Sequence, residues 1–291
     1  MHSYLRTIGL TKYKTRKQLE PVYRSCLSAP SRKIVTTVSV DTSLLQFEKD
    51  FDKNLGFALV GEVEASGSCS IEHYFPYLKG DHFLEFENIQ IEKQTDKESY
   101  AGVCEDYRLG MTIIFYVINI ADYAKSKWLN YSNRHLTQVK FSGLCTEGAI
   151  LLGTGNNKSQ KQKESEGRKR RYNLLAEARE GNTEAIESLT LDEMDTYTSI
   201  NNRMQTEDLF TVVNTSFMPC GIECDHYLVV GNILDFQLMT NQLTDEKIYN
   251  LLIEANDLTM NVAINQSDLT GEPAVGRRFR GEIWLQGVVR I

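Results

Sequence analysis

Arg278-Phe279-Arg280-Gly281-Glu282-Ile283-Trp284-Leu285-Gln286-Gly287-Val288-Val289-Arg290-Ile291 decides the fold. Phe279, Gly281, Ile283, Leu285, Gly287, Val289 and Ile291 fall on one side of a period of two, with Arg278, Arg280, Glu282, Trp284, Gln286, Val288 and Arg290 on the other. Strict alternation over this length marks a half-buried antiparallel strand, so the odd side is expected to face a sheet core. The even side then puts a tryptophan among arginines on the nominally wet face, where a large indole has to meet another element, a ligand or a partner. Arg278, Arg280 and Arg290 would hold an anionic group while Trp284 stacks on a flat one, as small β-barrels do with single strands. These four are the candidate ligand-binding residues. The favoured competing expectation is that Trp284 is covered by the helices of 172–205 or by the N-terminal half, with the arginines paired to acidic surface.

Working back from this strand, Leu258, Met260, Val262 and Ile264 alternate with Thr259, Asn261, Ala263 and Asn265. Ile248–Ala255 precedes them across Asn256-Asp257, whose side chains tolerate a tight turn. Residues 244–255 also fit a helix capped by Thr244, but strand is favoured. With Leu209–Phe217 and Tyr227–Leu238 these runs predict a small β-barrel or sandwich. Upstream, Tyr172, Leu175 and Ala176 open a helix that Gly181-Asn182 stops. Thr183 is expected to cap a second through Leu189, and Thr190–Glu193 forms a capping box for a third. Asn156–Arg170 has no apolar side chain and reads as a solvated linker or loop.

In the first half, Leu19, Val22, Tyr23, Cys26 and Leu27 have helical spacing, and Pro21 is expected to open that helix or kink it. The runs Lys33–Val40, Phe57–Ala65, His82–Glu92, Tyr100–Leu109, Gly110–Ala124 and Gln138–Gly153 read as strands of an antiparallel meander. Phe47 and Phe51 within Ser43–Leu55 mark one more short helix. The expected class is therefore α+β, with two β-rich units joined by a charged linker and short helices. The expected division is 1–155 for an antiparallel-sheet domain, 156–171 for the linker, and 172–291 for the helical segment with the barrel-like domain.

The net charge of −7 conceals +7 in residues 1–33 and +5 in Lys158–Arg171, which leaves −19 on the remainder. A nucleic-acid footprint normally takes a basic domain rather than two basic strips on an acidic body, so nucleic acid is disfavoured and internal pairing of the charges is favoured. The opening residues lack the apolar run of a secretion signal. The most apolar stretch, Met111–Ala121, is about half a spanning length, so no membrane partner is expected. Six cysteines in a chain this large read as reduced thiols in a cytoplasmic protein.

Three constellations invite chemistry. Gly271-Glu-Pro-Ala-Val-Gly276-Arg277-Arg278 has P-loop glycine spacing but arginines for the lysine and the hydroxyl residue, and it leads into a strand, so a turn is expected. Cys220, Cys224 and His226 offer three zinc donors without a fourth, and no metal is expected. Cys69, His73, Asp81, His82 and Glu85 hold the groups a nucleophile, a base and an acid would use. Yet His73-Tyr-Phe-Pro-Tyr reads as an aromatic loop without a nucleophile elbow.

Met1-His-Ser-Tyr-Leu-Arg-Thr-Ile-Gly9, Asn182-Thr-Glu-Ala-Ile-Glu-Ser-Leu-Thr-Leu-Asp-Glu-Met-Asp195, and Gly271–Gly281 with Trp284-Leu285 together resemble an uncharacterised family, a domain of unknown function, of clostridial and related Firmicute proteins of about this length. That resemblance implies a bacterial cytoplasmic protein and carries over no activity, cofactor or site residue. The functional expectation is a non-enzymatic binding or interaction protein whose recognition face lies on the C-terminal β module. Its partner would be another protein or a small anionic or aromatic ligand, with no cofactor. An enzyme using the His73–Glu85 region is the alternative, and a nucleic-acid binder the second alternative.

Overall fold

The computed structural model describes residues 2–38, 42–64, 69–93, 99–106, 111–129, 136–153, 167, 170–171, 173–204, 214–222 and 224–291. Four strands, β1 (Arg32–Thr37), β2 (Thr42–Asp52), β3 (Leu55–Glu64) and β4 (Cys69–Leu78), pair in chain order as a small antiparallel sheet. The next ten make a large mixed sheet. They are β5 (Leu84–Lys93), β6 (Tyr100–Asp106), β7 (Met111–Val117), β8 (Leu136–Leu151), β9 (Ser216–Pro219), β10 (His226–Thr240), β11 (Lys247–Ala255), β12 (Leu258–Asn265), β13 (Leu269–Thr270) and β14 (Arg278–Val289). Helices flank the sheets, among them α1 (Arg16–Ser28), α2 (Ile120–Trp128) and α3 (Thr183–Met204). The protein is α+β, as its patterning predicts.

Strand β14 sits at the centre of the large sheet. It pairs antiparallel with β8 from Arg278 to Val289, and its other edge takes β10 over Arg278–Trp284 and β7 over Gln286-Gly287. Two five-stranded rings therefore share the β8–β14 pair. One closes through β10, β11 and β12, and the other through β5, β6 and β7. The barrel read from the C-terminal sequence thus includes β8 from the first half, against which β12 runs parallel. The Asn256-Asp257 hairpin has φ of 48° and 66° at its two residues, the positive pair that a two-residue turn of right-handed twist needs.

The odd side of β14 enters the core of the large sheet, with Phe279, Ile283, Leu285 and Val289 all buried. Gly287 lies flat beneath Phe115, where a Cβ would come within 2.5 Å of the ring. Ile291 departs from expectation. It lies past the last paired residue and is 41 % exposed.

The even side of β14 enters a second core, lying between the two sheets, that contains Trp284 and the apolar residues of β2, β3, β4 and α1. Gln286 clamps the layers: its Nε2 donates to the Pro76 carbonyl at 2.9 Å, and its Oε1 accepts the Leu78 N–H at 3.3 Å. Ser142 Oγ donates to the Leu78 carbonyl beside it. The 3₁₀ turn Ser3–Ile8 is a wedge between the sheets, touching β3 and β4 on one side and β8 and β12 on the other. It is tied down along its length. Arg6 forks onto Asp268, Asn241 Nδ2 donates to the Ile8 carbonyl at 2.6 Å, and Thr244 Oγ1 donates to the Gly9 carbonyl at 2.7 Å.

Several expected elements differ. The helix expected within 43–55 is instead strand β2 to Asp52, then a turn into β3. Leu44 to Phe47 and Glu48 are all buried, so both faces are covered and the period of two is hidden. His73-Tyr-Phe-Pro-Tyr is part of β4, not a loop; Pro76 is tolerated because β4 is an edge strand of its sheet. The strand expected over 110–124 stops at Val117, and α2 begins at Ile120. Pro21 lies inside α1, whose start is set instead by a Thr15–Gln18 capping box. The second and third helices after Asn182 are one helix, α3. Asn182 Oδ1 accepts the Glu184 and Ala185 N–H groups, while Thr190 back-bonds to the Ile186 carbonyl. Most of the expected linker and residues 209–213 of the expected strand lie outside the described residues.

Leu285→Ala should cost about 2–5 kcal/mol through lost burial and a residual cavity, whereas Ile291→Ala should cost less than about 0.5 kcal/mol. Urea unfolding of both variants checks the contrast.

Candidate functional site

The densest collection of chemically capable side chains surrounds Trp284. Antiparallel register places His226 of β10 and Leu144 of β8 directly beside it, on the same face by strand geometry. Trp284 is 5 % exposed. Its indole N–H donates to Asp225 Oδ2 at 2.7 Å, and ring centroids of His2, Tyr116 and Tyr4 lie 4.6, 5.1 and 5.5 Å away. Asp225 Oδ1 is 3.2 Å from His226 Nδ1, and the Asp225 carbonyl accepts the Leu285 N–H at 2.9 Å. His73 Nε2 is 3.3 Å from the Tyr116 hydroxyl, and the His2 N–H donates to the Tyr74 hydroxyl at 3.3 Å. The 3₁₀ turn, β4, β7, β10 and β14 each contribute to one buried His–Tyr–Trp–Asp cluster.

Its electrostatics follow from burial. The His2 imidazole is lowered to about 4, first by desolvation and then by the nearby amino terminus, against the pull of Asp225. The Tyr116 phenol is pushed up by burial and by Asp225. At neutral pH His2 is therefore uncharged and Tyr116 protonated. Among the described residues no three His, Cys, Asp or Glu side chains are placed to hold a metal ion.

The four residues expected on the even face are spread along the strand. Arg278 is buried, donating from Nε to the Leu152 carbonyl at 3.1 Å and from a terminal nitrogen to the Asn214 carbonyl at 3.4 Å. Arg280 is exposed. Arg290 donates to Gln138 Oε1 at 2.7 Å and lies over the Phe83 ring at 5.4 Å. Trp284 faces the small sheet and the N-terminal wedge, not the helices of 172–205. At a strand rise of about 3.3 Å per residue, Arg278 and Arg290 are roughly 40 Å apart, so the four do not surround one opening.

The other constellations are likewise dispersed. Strand β4 runs from Cys69, which is exposed at its start, through His73 to Leu78. Asp81 beyond it exchanges hydrogen bonds with Asn261 at 2.9 and 3.0 Å, and Glu85 accepts Gln138 Nε2 at 2.5 Å. Cys220 is half-buried and Cys224 exposed, while the His226 ring turns to Asp225. Gly271 and Gly276 have φ of 89° and 85°, and Gly276 N–H donates to the Ile233 carbonyl at 2.9 Å, a turn that enters β14. All six cysteines are free, and burial pushes the Cys26 and Cys145 thiols up to about 12. An open cleft of about 430 Å³ lies elsewhere, between Asp122 and Lys125 of α2 and Val289. Its Asp122 already accepts a forked Arg32 at 2.8 and 2.9 Å.

Sequence reasoning found Trp284 but not His2, Tyr116, Asp225 and His226 around it. Those residues lie on three separate segments, and no spacing rule connects them. The one signal available was that a strand flanking this one would set its own side chains beside Trp284.

The family model for a domain of unknown function described from an E. rectale gene, DUF3881, matches residues 5–287, and the chain belongs to that family. No curated protein and no solved structure matches it. Among the described residues no helix is long and apolar enough to cross a membrane.

Two measurements examine the cluster. Unfolded His2 titrates near 6.5 and folded His2 near 4, so between these values the unfolded chain binds more protons. The stabilisation is complete above the window and is lost as pH falls through it, by at most about 3 kcal/mol. His2→Gln should flatten that part of the stability-against-pH curve, although His73, His226 and Asp225 face the same space. Trp284→Ala should cost about 3–5 kcal/mol, read as a lower unfolding midpoint.

Proposed function

We propose that the protein is a non-enzymatic interaction protein that uses its C-terminal β module to hold an apolar segment of another polypeptide. The observation that carries this is an uncovered apolar row on β10: Leu234, Phe236 and Leu238 are 43, 38 and 46 % exposed. A bulge between Ile233 and Asp235 brings Leu234 out of register, and beyond it Phe236 and Leu238 stand opposite Leu251 and Tyr249 of β11. Opposed residues of an antiparallel pair share a face, so the row continues the apolar face of the β10–β11 hairpin to where no described element covers it. Asp235 and Gln237 alternate with it onto the opposite side of the strand, both exposed. A contiguous exposed apolar patch is the usual mark of a protein-binding surface. Phe236 and Leu238 are about 6.6 Å apart along the strand, close to the rise between i and i+4 anchors of an amphipathic helix, about 6 Å.

The packed state of the Trp284 cluster also favours binding over catalysis, because a reacting substrate needs room beside the catalytic groups. Catalysis from Cys69, His73, Asp81, His82 and Glu85 would require those groups to converge, whereas Cys69 and His73 sit on β4, Asp81 bonds to Asn261 beyond it, and Glu85 on β5 bonds to Gln138. Six free thiols accord with a reducing compartment, which supports a cytoplasmic location.

Selection of a displayed peptide library on the full chain tests the proposal. Peptides with apolar residues at i and i+4 should be enriched, and the double substitution Phe236→Lys with Leu238→Lys should abolish their binding while changing stability by about 0.5 kcal/mol or less. Enriched peptides that bind the double variant as well as the parent protein would refute it.

A further inference from the structure

Three of the N-terminal cations find acidic partners within the chain. Arg6 pairs with Asp268, Arg24 with Glu20, and Arg32 with Asp122. Lys12, Lys14, Arg16 and Lys17 do not: all four are exposed, and none forms an ion pair among the described residues. They crowd the start of α1, whose first turn contains no acid. Four positive charges at the positive end of a helix dipole repel one another and oppose the dipole, so this edge favours contact with carboxylates.

Helix α3 has the opposite need. It is 22 residues long; its start packs on the body through Ala185 and the half-buried Ser188 and Leu189, and Glu193 pairs with Arg171 at 3.3 Å. From Thr190 to Thr198 every described side chain is exposed, including Leu191, Met194 and Tyr197. Most helical stability in proteins comes from packing one face against something else, and among the described residues nothing buries this stretch. Glu184, Glu187 and Asp195 are exposed and form no ion pair among the described residues. With Leu191 they occupy i, i+3, i+7 and i+11, one stripe of the helix, about 16 Å long.

We propose that the protein self-associates, with the Glu184–Asp195 stripe of α3 in one copy seated against the Lys12–Lys17 edge of a second. The occupant is a second copy because each copy carries both complementary surfaces. In a two-fold pair the contact is made twice, which closes the assembly. A nucleic acid or an anionic membrane would meet the same four cations but would also meet a body of net negative charge. This inference is independent of the β10 row, since the residues and the measurement differ.

Sedimentation velocity of the full chain at low and high salt provides the test, because a contact between exposed charges is screened as ionic strength rises. A dimer at 50 mM salt should weaken by roughly tenfold or more at 500 mM. Lys14→Glu with Lys17→Glu should be monomeric, and so should Glu187→Lys with Asp195→Lys. Mixing these two variants should restore a dimer, since both contacts are then complementary, one with the parent signs and the other with its signs exchanged. Circular dichroism checks that α3 persists, and Glu187→Gln with Asp195→Asn gives the monomer without reversed charge if the lysine variant loses helix. A parent chain monomeric at low salt, a dimer indifferent to both variants, or a mixture that stays monomeric while both variants are folded would each overturn the proposal. So would a monomer that binds duplex DNA or phosphatidylserine vesicles through Lys14 and Lys17.

Discussion

Strand β14 is covered on both faces from Ile283 to Gly287, and the rest of the molecule is arranged around that fact. On its odd side Ile283 and Leu285 enter the core enclosed by the two strand rings, and on its even side Trp284 and Gln286 enter the layer beneath the small sheet. An antiparallel strand normally presents one face to water. Here the wet face is replaced by β4, the N-terminal wedge and an aspartate aimed at the indole N–H. Because β14 also pairs with β8, β10 and β7, its position links both rings and both cores.

Polar groups determine how the two layers fit. Gln286 satisfies two backbone groups of β4, and Asn119 does the same for Val289, donating to its carbonyl at 2.9 Å and accepting its N–H at 3.1 Å. Glu48, buried in β2, is held by Lys79 at 2.5 Å and by Gln46 at 2.9 Å; Gln46 reaches on to the Ile118 carbonyl at 3.0 Å and accepts the Ala121 N–H at 3.1 Å. Each of these side chains is buried and partnered, and a buried polar group is costly only when left unmatched. Apolar contact alone would let the sheets slide, whereas directional bonds of this kind admit one registry.

The histidines of the joint have a structural consequence of their own. His2 stays neutral because its surroundings exclude water and are already positive, and in that state it stacks against Trp284. The same packing commits the rings and the Asp225 carboxylate to one another. The uncommitted chemistry therefore lies outside, on the apolar row of β10, the cations before α1 and the carboxylates of α3.

How much of this could be read from residues alone varied with how each segment is buried. The odd face of β14, the hairpin at Asn256-Asp257 and strand β11 were legible because a half-buried strand writes its period directly into the chain. Strand β2 was not, since both its faces are buried and its apolar residues lose that period. The α3 helix was cut in two because Thr190 resembles a cap when only its neighbours are known. Trp284 was identified, but its role was decided by residues more than 50 positions distant, at 2, 4, 116 and 225. Composition and periodicity by themselves determined the α+β class and which side of the last strand is core. Only the tertiary structure decided that the other side is core as well, because the cover comes from a separate sheet and from the first turn of the chain, and pairing between remote segments leaves no local mark in sequence.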